Sequence, residues 1–227
     1  MSAQKKIIRL PEGDSWIEIS TLPDELKCTP EIFAQLLASE PAEPGTVMVF
    51  GKEVTVPRTQ KAYGQPYYFS GLLHEAEPIE AQHPYLGRLV EHARQDSGHS
   101  DYDSMLLNWY LNGLKYLSDH SDDTRQLVPK SCIYSYSFGT TRDFVITSKK
   151  NKAKTTSGDK RKRDACNGNV NTSSSSNFRL VIPLTNNTLV KMCGDMQDYY
   201  KHGVPKRTRV TGPRINVTLR RFNKNKK

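Results

Sequence analysis

Two side chains that can bind a metal ion lie close together in the run NWYLNGLKYLSDHSDD, residues 108–123. His120 and Asp122 occupy positions i and i+2, which point to the same face of a strand. An imidazole and a carboxylate on one face are two of the three protein ligands that non-haem Fe(II) oxygenases use. Short H-x-D triplets also arise by chance, so the pair indicates a metal site only if the chain supplies a second histidine.

A later histidine and an alternating strand supply further groups. His202 is followed by the run RINVTLRR, in which polar and apolar residues alternate; the polar positions are Arg214, Asn216, Thr218 and Arg220. A strand with a solvent-exposed polar face would give the same pattern. If the polar face points inward, its guanidinium groups must pair with anions, because an unpaired buried charge is costly. Two inward arginines would suit a dicarboxylate, since guanidinium and carboxylate match through two parallel hydrogen bonds.

The elements that would position these groups are mainly short strands. After residue 105 they are separated by Pro and Gly turns, which predicts an antiparallel jelly roll. We expect a mainly β, α+β chain in which a double-stranded β-helix core spans 105–222. N-terminal helices buttress this core, and the first begins at Thr29-Pro30 with a capping residue and a proline.

The predicted parts of the chain follow this order. An N-terminal extension and helix cover 1–45, and a nucleotide-recognition region with a supporting helix covers 46–104. The jelly-roll core is interrupted by a disordered basic insertion over 149–177, which has few large apolar residues and cannot bury a core. A basic tail covers 223–227.

Composition limits the class of protein. Hydrophobic residues make up 36 % of 227 residues, enough for a core. The sequence has no apolar run near the roughly 20 residues of a membrane helix, and its start does not resemble a signal peptide. The four cysteines lack metal-binding spacing, so we expect free thiols in a reducing compartment.

The net charge of +9 is concentrated in two segments. Residues 149–177 carry +6 and residues 201–227 carry +10, so the remaining residues carry −7. A mildly acidic body with concentrated basic segments favours a partner with a phosphate backbone, although solubilising tails would look similar. Lys160-Arg-Lys-Arg163 resembles a nuclear-import signal, which predicts a nuclear protein, with the cytoplasm as the alternative.

Two further stretches could contact a nucleic acid. Residues 46–57 predict a hairpin with Phe50-Gly51-Lys52 at its turn, and the pattern alone favours a core-facing Phe50. Residues 58–71 interleave four aromatic residues with cations, which suits base stacking beside phosphates. An aromatic loop packed on the core is the alternative for this second stretch.

Taken together, these motifs resemble the AlkB family of Fe(II)- and 2-oxoglutarate-dependent dioxygenases. The segments that carry the resemblance are VFGKEVTVPRTQKAYG, NWY…HSDD, SYSFGTTRDF and HGVP…GPRINVTLRRF. The resemblance is closest to the branch that repairs alkylated bases in duplex DNA. It implies Fe(II) on His120, Asp122 and His202, with 2-oxoglutarate and O2 as co-substrates. It implies 2-oxoglutarate contacts at Asn108, Tyr110, Arg214, Asn216, Thr218 and Arg220, with Arg220 taking the distal carboxylate and Arg214 near the iron.

The same resemblance implies how DNA would be bound. The hairpin tip Val49-Phe50-Gly51, followed by Lys52, would insert into the base stack, which replaces the core-facing prediction for Phe50. Asp123 would help to read the flipped base, and Tyr67 and Phe69 would flank it. Backbone contacts or loop structure are implied for Arg58, Arg142, Lys206 and Arg207. Thr124 stands where the branch carries Glu, which predicts a less polar base pocket.

The implied activity is oxidative demethylation of 1-methyladenine and 3-methylcytosine in DNA by base flipping, hydroxylation of the methyl group and release of formaldehyde. Duplex DNA is the favoured partner, and single-stranded DNA or RNA is possible. The alternatives are an RNA demethylase of the same family and a non-catalytic nucleic-acid-binding protein. We expect a monomer that does not contact membranes.

Overall fold

The computed structural model describes residues 5–69, 72–79, 83–149 and 178–223. For Val49, Tyr67 and Phe69 it describes the backbone but not the surroundings of the side chains. Three sequence predictions lie outside the described residues: the basic insertion beyond Lys149, the import-like run Lys160–Arg163 within it, and the tail beyond Asn223.

The N-terminal part combines short strands with two helices. Its strands are β1 (Lys5–Arg9), β2 (Ser15–Thr21), β3 (Thr46–Val49), β4 (Lys52–Thr55), β5 (Thr59–Gly64), β6 (Tyr67–Phe69), β7 (Leu72–His74) and β8 (Ala76–Glu77). Helix α1 (Pro30–Ala38) begins as predicted, with the Thr29 hydroxyl accepting from the Ile32 amide at 3.4 Å. Helix α2 (Pro84–Ser97) ends at Gly98, whose φ of 72° is the left-handed conformation of a helix C-terminus.

The C-terminal part is built from eight strands and one short helix. They are β9 (Tyr102–Tyr110), β10 (Leu117–His120), β11 (Ile133–Gly139), β12 (Arg142–Ser148), β13 (Arg179–Leu184), β14 (Thr188–Gly194), α3 (Met196–Tyr199), β15 (Tyr200–Val204) and β16 (Arg214–Arg221). These strands divide evenly between two antiparallel sheets, in the orders β14-β11-β16-β9 and β10-β15-β12-β13. Successive strands alternate between the sheets with a return after β12–β13, which confirms the predicted double-stranded β-helix.

Two apolar cores hold the larger sheet in place. It extends beyond the jelly roll to β2 and β1 on one side and to β5 and β8 on the other. One core packs helices α1 and α2 against the sheet's outer face, with Trp109, Val217 and Leu219 fully buried. The other lies between the two sheets and includes Ile133 and Val190 from one and Phe144 and Ile146 from the other.

The packing on both faces of β16 explains its alternating sequence. Ile215, Val217 and Leu219 belong to the helix-side core. The intervening polar residues are also buried, so they face the interior between the sheets; they are Arg214, Asn216, Thr218 and Arg220. The alternative of a solvent-exposed polar face is therefore wrong, and the structure has the inward-facing arrangement, which the alternation alone had left open.

Two of the cysteines are paired, contrary to the prediction of free thiols. The β11–β14 register places Ile133 opposite Met192, so Cys132 and Cys193 are neighbours, and they form a disulfide. Their separation of 61 positions in the sequence hides this proximity. Cys28 is free and buried, and Cys166 lies outside the described residues. Among the described helices, none is both long and apolar enough to cross a membrane.

Candidate metal centre and substrate groove

Strand pairing brings the two histidines and the aspartate together. His120 at the end of β10 lies directly opposite His202 in β15, and Asp122 follows two residues later. One potential ligand atom from each residue lies within 4.8 Å of the others. The Nε2 atom of His120 is 3.5 Å from Oδ1 of Asp122. Two nitrogen donors and one carboxylate grouped in this way form the donor set of a non-haem Fe(II) site.

The contacts of the two imidazoles fix how their nitrogen atoms are oriented. Nδ1 of His120 lies 3.0 Å from the carbonyl oxygen of Ser118, so it donates there, and Nε2 is the nitrogen that faces Asp122. Nδ1 of His202 is buried and meets no hydrogen-bond partner within the described ranges. Burial, reinforced by nearby His120, lowers the pKa of His202 to about 3, so the ring is neutral as a metal ligand requires.

Asp122 is buried and ionised. Burial would raise its pKa, but Arg220 and the two imidazoles outweigh this and hold the pKa of Asp122 well below its usual range. The Arg220 Nε atom donates to Oδ2 of Asp122 at 2.8 Å, and the backbone amide of Asp122 donates to Oε1 of Gln197 at 2.9 Å. The carboxylate therefore keeps its charge and a fixed orientation. The donor set and the unpaired buried nitrogen of His202 fit a divalent metal ion.

Arg214 lies at the other end of β16 and has unused donors. Its Nη2 donates to the Ser137 hydroxyl at 2.8 Å, whereas Nε and Nη1 meet no partner among the described residues. Its guanidinium carbon lies 5.0 Å from the ring centre of Tyr110. The predicted arrangement of the two arginines is thus reversed, because Arg220 and not Arg214 lies at the metal-ligand end. Of the two arginines of β16, Arg220 pairs with a carboxylate, whereas the buried Arg214 has no carboxylate partner among the described residues.

The two asparagines on this inner face have different surroundings. Nδ2 of Asn216 donates to the Ser135 hydroxyl and to the Tyr136 carbonyl, and its Oδ1 accepts from the Thr218 hydroxyl at 3.1 Å. Asn216 therefore joins β16 to β11, and Thr218 holds the Asn216 amide in place. Asn108 instead accepts two hydrogen bonds on Oδ1, from Arg58 and from Gln60. Gln60 and Gln197 had no motif in the sequence that would have identified them as part of this site.

The comparison with known proteins agrees with this geometry. The sequence matches the 2OG-Fe(II) oxygenase superfamily over residues 27–220. The chain belongs to this superfamily. It is 34 % identical to the DNA oxidative demethylase ALKBH2 of Homo sapiens over 179 residues, which are 78 % of this chain and 60 % of that protein. The corresponding protein of Mus musculus is 32 % identical over 184 residues, 80 % of this chain and 68 % of that protein.

A second group of relatives carries another AlkB name. The alpha-ketoglutarate-dependent dioxygenase alkB homolog 3 of Bos taurus is 32 % identical over 197 residues, 86 % of this chain and 62 % of that protein. Within the superfamily the chain is therefore an AlkB-family member, and it spans about 60 % of the length of human ALKBH2. Membership of the superfamily implies Fe(II), 2-oxoglutarate and O2.

The hairpin of this AlkB-family chain presents its tip to solvent. Phe50 is fully exposed between β3 and β4, and its φ of 50° and the φ of 74° at Gly51 form the tight turn. Lys52 is also exposed. The core-facing prediction for Phe50 is wrong, and the exposed position expected from the AlkB resemblance is what the structure has.

Two arginines predicted to bind DNA are buried inside the protein. Arg142 is 2 % exposed and donates to the carbonyl oxygens of Asn112, Lys115 and Pro205, at 3.1, 2.9 and 2.7 Å. Arg58 is 7 % exposed and donates to Asn108. Burial lowers the pKa of both groups. The DNA-contact prediction is therefore wrong for Arg58 and Arg142, and the alternative of loop structure describes Arg142.

The remaining predicted DNA contacts lie at the surface. Lys206 and Arg207 are exposed; Nζ of Lys206 lies 4.7 Å from the ring centre of Tyr116, and Nε of Arg207 donates to Asp143 at 2.8 Å. Asp123 is partly buried and accepts from Nε and Nη2 of Arg125, at 2.9 and 2.6 Å, which lowers the pKa of its carboxyl group. Thr124 beside it is exposed.

Proposed function

We propose that this AlkB-family chain is an Fe(II)- and 2-oxoglutarate-dependent DNA oxidative demethylase acting on 1-methyladenine and 3-methylcytosine. The observation that carries the proposal is one buried inner surface with a metal-ligand set at one end and, at the other, a guanidinium group that has two nitrogens without a partner among the described residues. The set is His120, Asp122 and His202, and the guanidinium group is that of Arg214. A dicarboxylate that chelates a metal through one end and pairs with arginine through the other fits both features.

The chain's own residues would prepare the metal and co-substrate sites as follows. Asp122 would bind the metal as a carboxylate, because Arg220 keeps it ionised. His120 would bind through Nε2, because its Nδ1 donates a hydrogen bond to the Ser118 carbonyl oxygen. Nε and Nη1 of Arg214 would donate to the distal carboxylate of 2-oxoglutarate, beside Tyr110. Bound Fe(II), together with 2-oxoglutarate and O2, would supply the oxidising chemistry that converts an N-methyl group into an N-hydroxymethyl group, with succinate and CO2 as by-products.

The hydroxymethyl group would then leave the base nitrogen as formaldehyde. A methyl group on N1 of adenine or N3 of cytosine blocks Watson–Crick pairing, and an unpaired base costs less to flip out of the stack. The exposed Phe50 would fill the gap that the flipped base leaves, since apolar side chains wedge between base steps in this way. This wedge favours duplex DNA as the substrate, because a single strand offers no continuous stack to invade.

Other surface groups would hold the DNA. We assign phosphate contacts to Lys52, Lys206 and Arg207, which are exposed cations. Asp123 would contribute a carboxylate to base reading, and Tyr67 and Phe69 would flank the base. The protein would act in the nucleus, where its DNA substrate would be, and it would act as a monomer.

The test is 2-oxoglutarate-dependent formaldehyde release on three matched oligonucleotides. Each carries one 1-methyladenine or 3-methylcytosine, in duplex DNA, single-stranded DNA or RNA. We expect release on duplex DNA to exceed release on the single strands, and none with the His120→Ala variant. A preference for RNA would contradict the DNA assignment while keeping the enzyme class. Cellular function that survives His120→Ala would instead support the non-catalytic alternative.

A further inference from the structure

Arg58 is buried beside a side chain of the proposed co-substrate pocket. It immediately precedes β5, and its Nε atom donates to Oδ1 of Asn108 at 2.8 Å. Its Nη1 atom approaches the carbonyl oxygen of Tyr116 at 3.5 Å. No carboxylate within the described ranges lies at ion-pair distance from this guanidinium, and only 7 % of the residue is exposed. A DNA phosphate could reach Arg58 only if the side chain left this position.

Asn108 receives a second hydrogen bond on the same oxygen. Gln60 lies opposite Asn108 in the β5–β9 register, and its Nε2 atom donates to Oδ1 at 2.8 Å. Arginine can only donate hydrogen bonds, so the oxygen of the Asn108 amide must face Arg58. The usual ambiguity about which way an asparagine amide is turned is thereby removed. Nδ2, with its two hydrogens, is the atom that Asn108 offers on its other side.

We propose that Arg58, together with Gln60, is a positioning residue that orients the Asn108 amide so that its hydrogens point at an oxygen of 2-oxoglutarate. The assignment rests on the proposed function, because it gives the pocket its ligand. Asn108 and Arg214 are on adjacent strands of the same inner surface, and both then present donors to an anion. Without the hydrogen bonds from Arg58 and Gln60, the Asn108 amide could rotate by half a turn. Its oxygen would then face the 2-oxoglutarate oxygen, and the two would repel each other.

The test measures co-substrate binding rather than turnover. Calorimetry would follow 2-oxoglutarate binding to the full-length Mn(II)-loaded chain without O2, for the wild type, Arg58→Gln and Gln60→Leu. Arg88→Gln is the matched control, because Arg88 is an exposed arginine on α2 whose guanidinium group donates to the carbonyl oxygen of Glu25 and not to Asn108. We expect the Kd for 2-oxoglutarate to rise about tenfold in Arg58→Gln and about threefold in Gln60→Leu, and to stay unchanged in the control.

A double-mutant cycle separates positioning from general loss of structure. If Arg58 acts through Asn108, Arg58→Gln should cost no further affinity in an Asn108→Ala background. A tenfold loss in both backgrounds would overturn the assignment. If Arg58→Gln does not fold, the same cycle with Gln60→Leu decides, with equal losses in both backgrounds counting against the proposal.

Binding to methylated duplex DNA, followed by fluorescence anisotropy at two salt concentrations, gives the second readout. We expect Arg58→Gln to leave the DNA Kd and its salt dependence unchanged. Arg58 would be a phosphate contact if Arg58→Gln weakened DNA binding and reduced the slope of log Kd against log salt concentration by about one, while 2-oxoglutarate binding stayed normal. That result would overturn this assignment but not the proposed function. Failure of the metal-loaded wild type to bind 2-oxoglutarate would overturn the proposed function and this assignment together.

Discussion

Arg214 and Arg220 share one face of β16 but differ in what their guanidinium groups contact. Arg220 donates to the metal-ligand candidate Asp122, whereas two nitrogens of Arg214 meet no partner among the described residues. Burial lowers the pKa of Arg214 to about 10, which still leaves the group charged at neutral pH. A buried cation without an anion is costly, and a bound carboxylate would offset that cost. Replacing Arg214 should therefore weaken co-substrate binding, whereas replacing Arg220 should weaken metal binding.

Replacing each arginine by glutamine separates their roles. We expect Arg214→Gln to raise the KM for 2-oxoglutarate at least tenfold and to leave metal affinity within about twofold. Arg220→Gln should weaken metal binding, because the carboxylate of Asp122 would lose the charge partner that keeps it ionised in a buried site. Titrations with Mn(II) and 2-oxoglutarate measure both. Loss of metal affinity in Arg214→Gln with normal co-substrate binding would restore the order predicted from the sequence.

Asp122 provides a prediction that separates chemistry from DNA binding. It is 5 % exposed and contacts Arg220 and Gln197, so DNA cannot reach its carboxylate. We expect Asp122→Ala to abolish formaldehyde release and to change the Kd for methylated duplex DNA by less than about threefold. A thermal unfolding scan controls for folding. A parallel collapse of DNA binding in a folded variant would contradict this division.

At the scale of elements, the β3–β4 hairpin projects an aromatic side chain that packs against nothing. The exposed tip explains why the sequence pattern failed there: alternation distinguishes two faces of a strand, but it does not describe a turn whose residues have positive φ values. Removing the Phe50 side chain should therefore not change the free energy of unfolding. Its effect should appear only when the duplex must be opened.

We expect Phe50→Ala to reduce demethylation of duplex DNA about tenfold and to leave demethylation of single-stranded DNA unchanged. The physical reason is that the variant loses the wedge that compensates for unstacking, which costs a few kcal/mol per step. Comparison of initial rates on the two substrates measures the effect, and Val54→Ala, an exposed apolar residue on the next strand, serves as the matched control. Equal losses on both substrates would argue against a wedge.

Arg58 and Arg142 show where prediction from the sequence ends at this scale. The alternation of β16 could be predicted because it is a local pattern, but the alternation did not determine which face of the strand is turned inward. Arg58 depends on Asn108, 50 positions later, and Arg142 depends on carbonyl groups of the loops at 112–115 and 205. Nothing local distinguishes a buried arginine that ties loops together from an exposed one that binds phosphate. The Cys132–Cys193 disulfide escaped prediction for the same reason.

At the scale of the whole molecule, a cluster of charges joins α2 to the larger sheet. Asp96 near the end of α2 pairs with Lys191 of β14, and Lys191 also pairs with Glu18 of β2 at 2.7 Å. Lys5 of β1 lies 3.3 Å from Asp96, and the Tyr134 hydroxyl donates to Asp96 at 2.7 Å. One cluster therefore links a helix to four strands of the larger sheet, on the face opposite the proposed active site.

This cluster predicts how stability depends on acid. Burial would raise the pKa of Asp96, but the hydrogen bonds from Lys191 and Tyr134 outweigh it and lower the pKa to about 2. A carboxyl group whose pKa is lower in the folded state stabilises the protein at pH values above its unfolded pKa of about 4, and that contribution is lost as the pH falls towards 2.

We expect Asp96→Asn to lower the free energy of unfolding at pH 7 by on the order of 1–2 kcal/mol, after allowance for partial exposure. The difference between wild type and variant should shrink between pH 4 and pH 2, as measured by urea unfolding at each pH. Glu91→Gln, an exposed substitution one turn earlier on α2, should show no such convergence, because Glu91 accepts a hydrogen bond from Gln95 and is not a member of the charge cluster. A constant difference across that range would mean that Asp96 stabilises the helix through packing and not through its charge.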